Sequence, residues 1–426
     1  MNILYLCADP GICLADDLGA AVHVRAMTGA FAARGNNVTL VATNMGSAPP
    51  RTADVFVRPA PLGPLNERLA RTLRRVSGIR RGTARLHPDV VRCLHNYAFA
   101  RAGRDLGLRA GADAVYARYS LWDCASVWVA RRLRVPLVLE INAPLAYEQA
   151  RYRRLRCPAV ARRVEERIWR EADLIVAVDD ALRPPLARAG VRSERVRVLP
   201  NAVDTELFHP DVRPDAVRDR HGLRGRFVVG FVGSFKAWHG VEVLVDAFVE
   251  LHLGDRDTHL LLVGDGPLLG TLRQKVSDAG VACAVTFAGR VPHREAPEYV
   301  AAMDVTVAPY PALEHFYYSP LKVFEYMAAG RPVVTSRIGQ LARLLEDGET
   351  ALLCPPGDRQ ELLACIRRLR ADVCLARKVA RRARVVAEGR TWNENAARVT
   401  AWIEELRDGR VQRPREVAER TVGWRR

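Results

Sequence analysis

The strongest constraint on the fold is a regular alternation of short apolar runs with longer segments of helical spacing. In the first half of the chain, apolar runs fall at 2–8, 37–43, 113–117, 136–144 and 172–179. In the second half they fall at 227–233, 259–264, 285–289, 305–309 and 332–335. No hairpin signal joins neighbouring runs, and strands that alternate with helices form parallel sheets covered by helices. The pattern therefore predicts an α/β protein with two Rossmann-like, doubly wound domains that face each other across a cleft.

Length and cysteine usage fit a protein of this kind inside the cell. A chain of 426 residues has room for about two domains of ordinary size. Its nine cysteines are scattered singly with no Cys-x-x-Cys pair, which favours reduced thiols in a cytoplasm and argues against a zinc site. No run of 18 apolar residues is present, and residues 1–9 are typical of a first strand rather than a signal peptide. We therefore expect a cytoplasmic protein.

The charge balance indicates an anionic partner. With 65 Lys and Arg against 48 Asp and Glu, the net charge is +17. Such a balance suits nucleic acid, an anionic membrane surface or an anionic substrate. No helix-turn-helix, zinc-finger or aromatic RNA-binding signature is present, so nucleic acid is the least favoured of the three and is not expected as a partner.

Residues 315–334 carry the most informative local pattern. Ser319 stands where a helix N-cap is expected, and Pro320 follows at the first helical position, where its missing N–H has no cost. We predict a helix over 321–329, a left-handed exit at Gly330 and a core strand over 332–335.

Lys322 is an unusual residue for the first turn of this helix. Its charge faces the positive end of the helix dipole, which disfavours it unless an anion docks there. Lys322 and Glu325 lie one turn apart on the same face, so a solvated ion pair on an exposed surface is the alternative. Both interpretations remain open from the sequence.

The same stretch, Ser-Pro-Leu-Lys-x-Phe-Glu-Tyr-Met-Ala-x-Gly-x-Pro-Val-Val, resembles the nucleotide-sugar loop of family-four retaining glycosyltransferases, which have the two-domain GT-B fold. The resemblance implies that Glu325 holds the ribose hydroxyls of the donor, with Ser319 and Leu321 in the same loop. In the family, the counterpart of Glu325 is the second of two acidic residues that are eight positions apart. At the position of the first, this chain has Tyr317.

A second stretch of resemblance runs over residues 230–240. Gly-Phe-Val-Gly-Ser-Phe-Lys-x-Trp-His-Gly is similar to the family loop that supplies a basic residue to the donor diphosphate. Ser234 and His239 stand where many relatives have other residues, so Lys236 is expected to take the basic role. Gly264, at the next strand–turn–helix joint, is expected to lie beside the donor.

Candidate site residues also occur in the first half. Gly19 precedes a helix predicted over 22–34 and would let backbone N–H groups approach a phosphate, although such a joint is also ordinary packing. The resemblance implies donor-diphosphate contacts for Gly19 and His23. It also matches Asn142, at the end of the strand over 136–144, to a histidine close to the reacting sugar. Glu140 is the one nearby carboxylate to test as a nucleophile.

The resemblance covers most of 1–405 and gives a domain organisation. We expect an acceptor-side N-terminal domain over 1–204 and a nucleotide-sugar-binding domain over 205–388, with a linker at 210–214. A C-terminal helix over 389–408 is expected to cross back to the first domain, as GT-B enzymes have it. The arginine-rich tail, 409–426, shows no apolar period and is expected to be disordered.

These features predict a metal-independent, hexosyltransferase-type enzyme without a cofactor. It would move a sugar from a nucleotide diphosphate sugar, with UDP favoured, to a hydroxyl acceptor with retention, in polysaccharide, glycolipid or secondary-metabolite biosynthesis. Lys236, Lys322 and the amides at the start of the 321–329 helix would stabilise charge on the leaving phosphate. The alternatives are a nucleotide-sugar epimerase on the same fold and a catalytically weak sugar-nucleotide-binding protein.

Two basic segments indicate a further partner. Residues 58–109 are arginine-rich, and an apolar stripe within them has arginines at its margins; it consists of Leu65, Leu69, Leu73 and Val76. A second basic helix is predicted near 151–169. Either segment is a solvated face or a peripheral contact with an anionic membrane at its inner face.

Overall fold

The structure is a computed structural model that describes residues 1–46, 55–59, 88–152 and 155–409. It divides into two compact units, each built on one parallel sheet. The first unit comprises Met1–Pro200 together with the chain from Asn395 onward, and the second is Asn201–Glu394. The first unit thus ends four residues before the boundary expected at 204, and the 210–214 segment lies within the second.

The first unit contains a seven-stranded parallel sheet of order β3-β2-β1-β4-β5-β6-β7. Its strands are β1 Asn2–Cys7, β2 Asn37–Ala42, β3 Val55–Pro59, β4 Ala114–Arg118, β5 Leu137–Ile141, β6 Leu174–Ala177 and β7 Val196–Val198. Its helices in the described residues, which include the last one along the chain, are α1 Gly19–Ala33, α2 Pro88–Ala110, α3 Ala125–Leu133, α4 Leu145–Tyr152, α5 Pro158–Glu171, α6 Arg183–Arg188 and α15 Trp392–Arg407. The central strands are buried on both faces, which explains their continuous apolar sequence.

The second unit repeats this design with a six-stranded parallel sheet of order β10-β9-β8-β11-β12-β13. Its strands are β8 Phe227–Val232, β9 Thr258–Val263, β10 Val285–Gly289, β11 Val305–Ala308, β12 Val333–Ser336 and β13 Leu352–Cys354. Its helices are α7 Asp215–Arg220, α8 Val241–Gly254, α9 Leu269–Asp278, α10 Ala296–Ala301, α11 Leu321–Ala328, α12 Gly339–Leu344, α13 Arg359–Ala371 and α14 Val373–Glu388. In both sheets the strand order reverses after the third strand of the unit, which creates a switch point where ligands of open α/β sheets bind.

The predicted fold class is confirmed, and the exceptions are local. The sequence did not predict the edge strands β3 and β13: β13 has only three residues, and the apolar part of β3 is cut short by Arg-Pro. Helix α1 begins at Gly19 rather than at residue 22. The predicted basic helix near 151–169 is instead two helices, α4 and α5.

The 315–334 region corrects the prediction for Ser319. The N-cap of α11 is Pro320, and no side chain in the described part of the protein caps this helix. The Ser319 hydroxyl instead accepts a hydrogen bond from the amide of Asn201 at 2.8 Å and donates one to Gln340 Oε1 at 2.8 Å, so it ties three segments of the second unit together. The left-handed exit at Gly330, with φ 63°, and the buried strand β12 are confirmed.

The structure bears on only part of the predicted membrane contact. The stripe of Leu65, Leu69, Leu73 and Val76 lies outside the described residues, as does the tail from residue 410. On α5, Arg162 and Arg167 pair with Glu166 and Glu171 one turn further on, which is typical of a solvated face. Among the described helices, none is long and apolar enough to cross a bilayer.

The last helix, α15, joins the first unit after its opening turn. Asn395 donates from its side-chain amide to the carbonyl of Pro200 at 2.8 Å. Near the other end, Arg407 forms an ion pair of 2.9 Å with Asp113, just before β4. These contacts lie at the two ends of the helix and fix its position on the first unit.

Candidate functional site

In the second unit, the loops that follow β8 and β9 contact each other through glycines, Gly233 on one side and Gly264 and Gly266 on the other; we call this contact the glycine joint. Gly233 and Gly264 have φ of 142° and 134°, a conformation that favours glycine. A Cβ on Gly264 would lie 2.0 Å from the carbonyl oxygen of Gly233, and a Cβ on Gly266 would lie 2.5 Å from the backbone of Phe235. The two loops therefore touch through their backbones, and only glycine allows this close approach.

Lys322 reaches this joint from the first turn of α11. Its amine lies 3.9 Å from the centre of the Phe231 ring, and a Cβ on Gly233 would be 2.6 Å from it. The amine nitrogen is buried and has no hydrogen-bond partner among the described residues. Burial lowers the pKa of Lys322 to about 7, an effect that the charge of Glu325 only partly opposes. Of the two interpretations that the sequence left open, the solvated surface pair with Glu325 is the wrong one, because the amine of Lys322 is buried.

His239 completes the wall of the joint as a neutral ring. Its Nδ1 lies 2.6 Å from the carbonyl oxygen of Ser234, which can only accept, so Nδ1 carries the proton and Nε2 is the acceptor atom of the ring. Burial, with a further contribution from the charge of Lys322, lowers the pKa of His239 to about 3. Lys236 lies close by, with its amine 5.0 Å from the centre of the Trp238 ring.

Glu325, one turn after Lys322, is held by a residue that the sequence did not indicate. Its Oε1 lies 2.9 Å from His293 Nε2, and both side chains are mostly buried. Of the donor-site residues predicted in the second unit, Gly264 and Lys322 lie at the glycine joint, and Glu325 lies one turn further along α11. Tyr317 is buried and packs against Tyr318 with the ring centres 4.7 Å apart.

In the first unit, Glu140 lies at the end of β5 as the centre of a buried polar cluster. His23 Nε2 lies 2.8 Å and the Tyr116 hydroxyl 2.6 Å from its Oε2. Arg118 and Asn142 each donate to Oε1 at 2.6 Å. The predicted residues His23, Glu140 and Asn142 are therefore brought together, while Gly19 begins α1 one turn before His23.

The cluster fixes Glu140 as a charged carboxylate. Burial alone would raise its pKa, but His23, Arg118 and the hydroxyl of Tyr116 together hold the pKa of Glu140 well below its usual range. With four donors on its two oxygens, this carboxylate is poorly placed to attack a sugar, and the geometry disfavours the nucleophile role. It is well placed to orient His23 and Asn142.

Sequence analysis missed Tyr116, Arg118 and His293. A sequence signal existed for Arg118, because it directly follows the apolar part of β4; its pairing in register with Glu140 of β5 is seen only in the structure. For His293 no signal existed, since 32 residues separate it from Glu325. Phe231, under the amine of Lys322, could not be distinguished from an ordinary core residue.

Comparison with known proteins agrees with the fold and with these loops. A family model described as Glycosyl transferases group 1 matches residues 226–372, and one described as Glycosyltransferase Family 4 matches residues 19–207. The chain belongs to the family-four, group 1 glycosyltransferases. Both loops of the second-unit site, at 233–239 and at the start of α11, lie inside the first of these matches.

The curated relatives act on different sugars. The chain is 28% identical over 261 residues to an alpha-D-kanosaminyltransferase of Streptomyces kanamyceticus, covering 60% of this chain and 66% of the relative. It is 34% identical over 222 residues to a GDP-mannose-dependent phosphatidylinositol monomannoside mannosyltransferase of Mycolicibacterium smegmatis, covering 50% and 57%. The alignments thus span about half to two thirds of the relatives' length.

Solved structures confirm the GT-B fold. The Anabaena protein HepE, in complex with UDP and glucose, matches with a TM-score of 0.71 at 22% identity, over 94% of this chain and 99% of that one. A sucrose-phosphate synthase from Thermosynechococcus elongatus matches equally well, at 0.71 and 22%, over 95% and 99%.

Proposed function

We propose that this glycosyltransferase moves a sugar from a nucleotide diphosphate sugar to a hydroxyl acceptor, with retention and without a metal ion. The single observation that carries the proposal is the buried amine of Lys322, which has no hydrogen-bond partner in the described residues and lies at the glycine joint beside an uncapped helix start. A buried cationic group without a partner is costly. A diphosphate bound here would supply the missing charge.

The second-unit site offers several groups to a diphosphate. The amine of Lys322, from the first turn of α11, lies at the joint, and Lys236 stands on the adjacent loop. Fixed positive groups in a region shielded from water stabilise the charge that grows on the leaving phosphate. These protein cations support a reaction that does not depend on a divalent ion.

Retention follows the mechanism that the family resemblance implies. The bond from the anomeric carbon to the phosphate oxygen breaks, and the acceptor oxygen bonds to the same face of that carbon. The acceptor proton passes to the departing phosphate oxygen, so no protein base is needed. The two oxygens of Glu140 already accept four hydrogen bonds. This supports direct transfer over a route in which Glu140 attacks the sugar and forms a covalent intermediate.

Donor binding should be accompanied by proton uptake. With a pKa of about 7, Lys322 is mostly neutral at pH 8, and a bound diphosphate should restore its charge. We expect calorimetry with UDP at pH 8, in two buffers of different ionisation enthalpy, to show uptake approaching one proton, and the variant Lys322→Met to show none. The same titration with GDP, ADP and dTDP tests the preference for UDP, since the matched proteins include users of both GDP-mannose and UDP.

The two ways in which this experiment could fail have different meanings. Absence of binding by all four nucleotides would remove the proposed function. Binding with no difference in proton uptake between wild type and variant would leave the donor site in place but separate Lys322 from the phosphates.

Glu325→Gln should weaken donor binding without loss of the fold. We propose that Glu325 accepts from the ribose hydroxyls while His293 holds its Oε1 at 2.9 Å. Loss of a charge-assisted hydrogen bond should cost about 1–3 kcal/mol of binding free energy. Calorimetry with UDP and with 2′-deoxy-UDP should show that wild type discriminates between the two and the variant does not.

Glu361→Gln is the matched control, because Glu361 is exposed on α13. It should bind both nucleotides like wild type. Equal discrimination by Glu325→Gln and wild type would refute the ribose assignment.

A further inference from the structure

The first unit contains a cavity that the proposed chemistry does not use. It lies at the carboxyl edge of the sheet, beyond the ends of β1, β2 and β4, and α2 closes one side. Among its lining residues are Ala8, Thr43, His95, Asn96, Trp122 and Asp123. About 30 Å³ is open to the centres of water-sized groups, and one such group needs about 10–15 Å³. The cavity therefore holds two or three small groups, not a whole sugar ring.

His95, in the wall of the cavity, has a ring nitrogen without a hydrogen-bond partner in the described residues. His95 Nε2 lies 2.8 Å from the hydroxyl of Thr43, and that hydroxyl donates its single proton to the carbonyl of Ala8 at 3.0 Å. Nε2 of His95 must therefore be the donor of the pair, which makes Nδ1 an acceptor. Burial lowers the pKa of His95, so the ring is neutral. Nδ1 is buried and accepts no hydrogen bond from the described residues.

Asp123, in the lining of the same cavity, has a second buried acceptor without a hydrogen-bond partner in the described residues. Asp123 is only 3% exposed, and its Oδ1 accepts from the amides of Ala125 at 3.1 Å and Ser126 at 3.3 Å, at the start of α3. Its Oδ2 is buried with no hydrogen-bond partner in the described residues. Burial raises the pKa of Asp123 to about 6, although the amide and the nearby hydroxyl of Ser126 oppose this rise, so the group is mostly ionised at pH 7. A buried acceptor without a hydrogen bond lowers the stability of the folded protein, and a donor bound in the cavity would remove this cost.

The segment that carries Asp123 is held in a strained conformation. Trp122 has φ of 73°, in the left-handed region that residues other than glycine seldom adopt. Asn96 fixes this turn, because its side-chain amide donates to the carbonyl of Trp122 at 2.7 Å and its oxygen accepts from the amide of Ala125 at 2.9 Å. Backbone strain that the surroundings maintain in this way is concentrated at functional sites.

The guanidinium that lines the cavity is already engaged. Arg92, which also lines the cavity, donates to Gln149 Oε1 at 2.9 Å, and its other terminal nitrogen lies 4.0 Å from Asp9. The cavity thus combines one buried negative charge and one neutral acceptor, with the guanidinium directed to other partners. A group that fits it must be small, bear at least two donors and carry positive charge.

We propose that this cavity binds a protonated primary amino group of the acceptor substrate, with Asp123 Oδ2 and His95 Nδ1 accepting two of its N–H bonds. The inference rests on the proposed function and specifies its acceptor as an amine-bearing alcohol, such as an amino sugar or aminocyclitol. A hydroxyl has one proton to donate and no charge, so it would satisfy only one of the two acceptors.

Matched probes with the full-length protein test this inference. We expect trans-2-aminocyclohexanol to bind at least tenfold more tightly than trans-1,2-cyclohexanediol at pH 7, as measured by ligand-observed NMR titration. Asp123→Asn keeps the Oδ1 contacts and should abolish this preference by weakening only the amine. His95→Gln keeps a donor toward Thr43 and lacks Nδ1, so it should reduce the preference. Asp180→Asn, on the surface, should leave it unchanged.

Each outcome has a distinct meaning. If wild type binds neither probe, or binds both equally, the cavity holds only water and the inference is overturned. Equal preference in wild type and His95→Gln would also overturn it, even if Asp123→Asn fails to fold. UDP binding is titrated in parallel. If wild type binds UDP but shows no preference for the amine, only this inference is overturned. If wild type binds no nucleotide, the proposed function is overturned as well.

Discussion

Lys322→Met should lower turnover by about 10²–10³-fold and at the same time raise the free energy of unfolding by about 1–3 kcal/mol near pH 6. The activity falls because a fixed positive charge is lost beside the leaving phosphate. The stability rises because a buried amine without a hydrogen-bond partner in the described residues is replaced by a thioether of similar length. The lost contact with the Phe231 ring, worth about 0.5–1 kcal/mol, offsets part of this gain.

The gain should depend on pH in a defined direction. The pKa of Lys322 is about 7 in the folded protein against 10.5 for the free side chain, so between these values the unfolded chain binds more protons. Wild-type stability should therefore rise through this window, and the advantage of the variant should shrink as pH approaches 10. Urea unfolding at pH 6, 8 and 10 measures this change.

Lys275→Met provides the matched control. Lys275 forms a half-exposed ion pair of 2.7 Å with Asp246, so its loss should cost no more than about 1 kcal/mol and leave turnover unchanged. If Lys322→Met were to lose stability and keep its activity, Lys322 would be a structural residue of the core and not part of the donor site.

Glu140→Gln should destabilise the first unit by about 3–5 kcal/mol, because it leaves the buried guanidinium of Arg118 without its charge partner. The side-chain NH2 of the introduced glutamine would also face groups that donate hydrogen bonds to Glu140 in the wild type, so these donors would lose an acceptor. The exposed pair of Arg131 with Glu171 supplies the matched control, and Glu171→Gln should cost less than about 1 kcal/mol. Urea unfolding at pH 7 measures both.

The effect of Glu140→Gln on stability should shrink at low pH, whereas the effect of Lys322→Met should shrink at high pH. The pKa of Glu140 is held well below its ordinary value of 4.5. Below about pH 4.5, Glu140 is therefore protonated in the unfolded chain while it is still ionised in the folded protein. The contribution of Glu140 is therefore complete above that pH and is lost as the pH falls. The destabilisation caused by Glu140→Gln should accordingly diminish in acid.

Activity measurements separate a positioning role from a nucleophilic one. Glu140→Ala should lose turnover through the freed His23 and Asn142 side chains, and added azide should not restore it. Recovery of activity with azide, with formation of a glycosyl azide, would instead establish Glu140 as the nucleophile.

The sequence by itself determined the architecture, because the period of the apolar residues is a local property. Runs such as 227–233 and 259–264 have the length and composition of strands buried on both faces, and the helical segments between them force parallel pairing. The 315–334 stretch determined the helix α11 and its glycine exit in the same way. The edge strands β3 and β13 are too short for such a run, and only hydrogen bonding to β2 and β12 defines them.

The tertiary structure decided which polar side chains meet and how each is ionised. Lys322 and Glu325 are one turn apart, a spacing that suits a surface pair equally well, and only the packing around Phe231 shows that the lysine is buried. Glu325 meets His293, and Glu140 meets His23 across 117 residues of sequence. Such contacts depend on the three-dimensional arrangement of the strand ends, which periodicity does not specify.

Ser319 shows the same division at a single residue. Its sequence context is that of an N-cap, yet in the fold its hydroxyl binds the Asn201 amide and Gln340, and Pro320 takes the cap position. The local preference is worth about 1 kcal/mol, and two hydrogen bonds between separate segments, one of them fully buried, outweigh it. Local patterns therefore determined where the strands and helices of this protein lie, while burial and long-range hydrogen bonding decided what its polar residues contact.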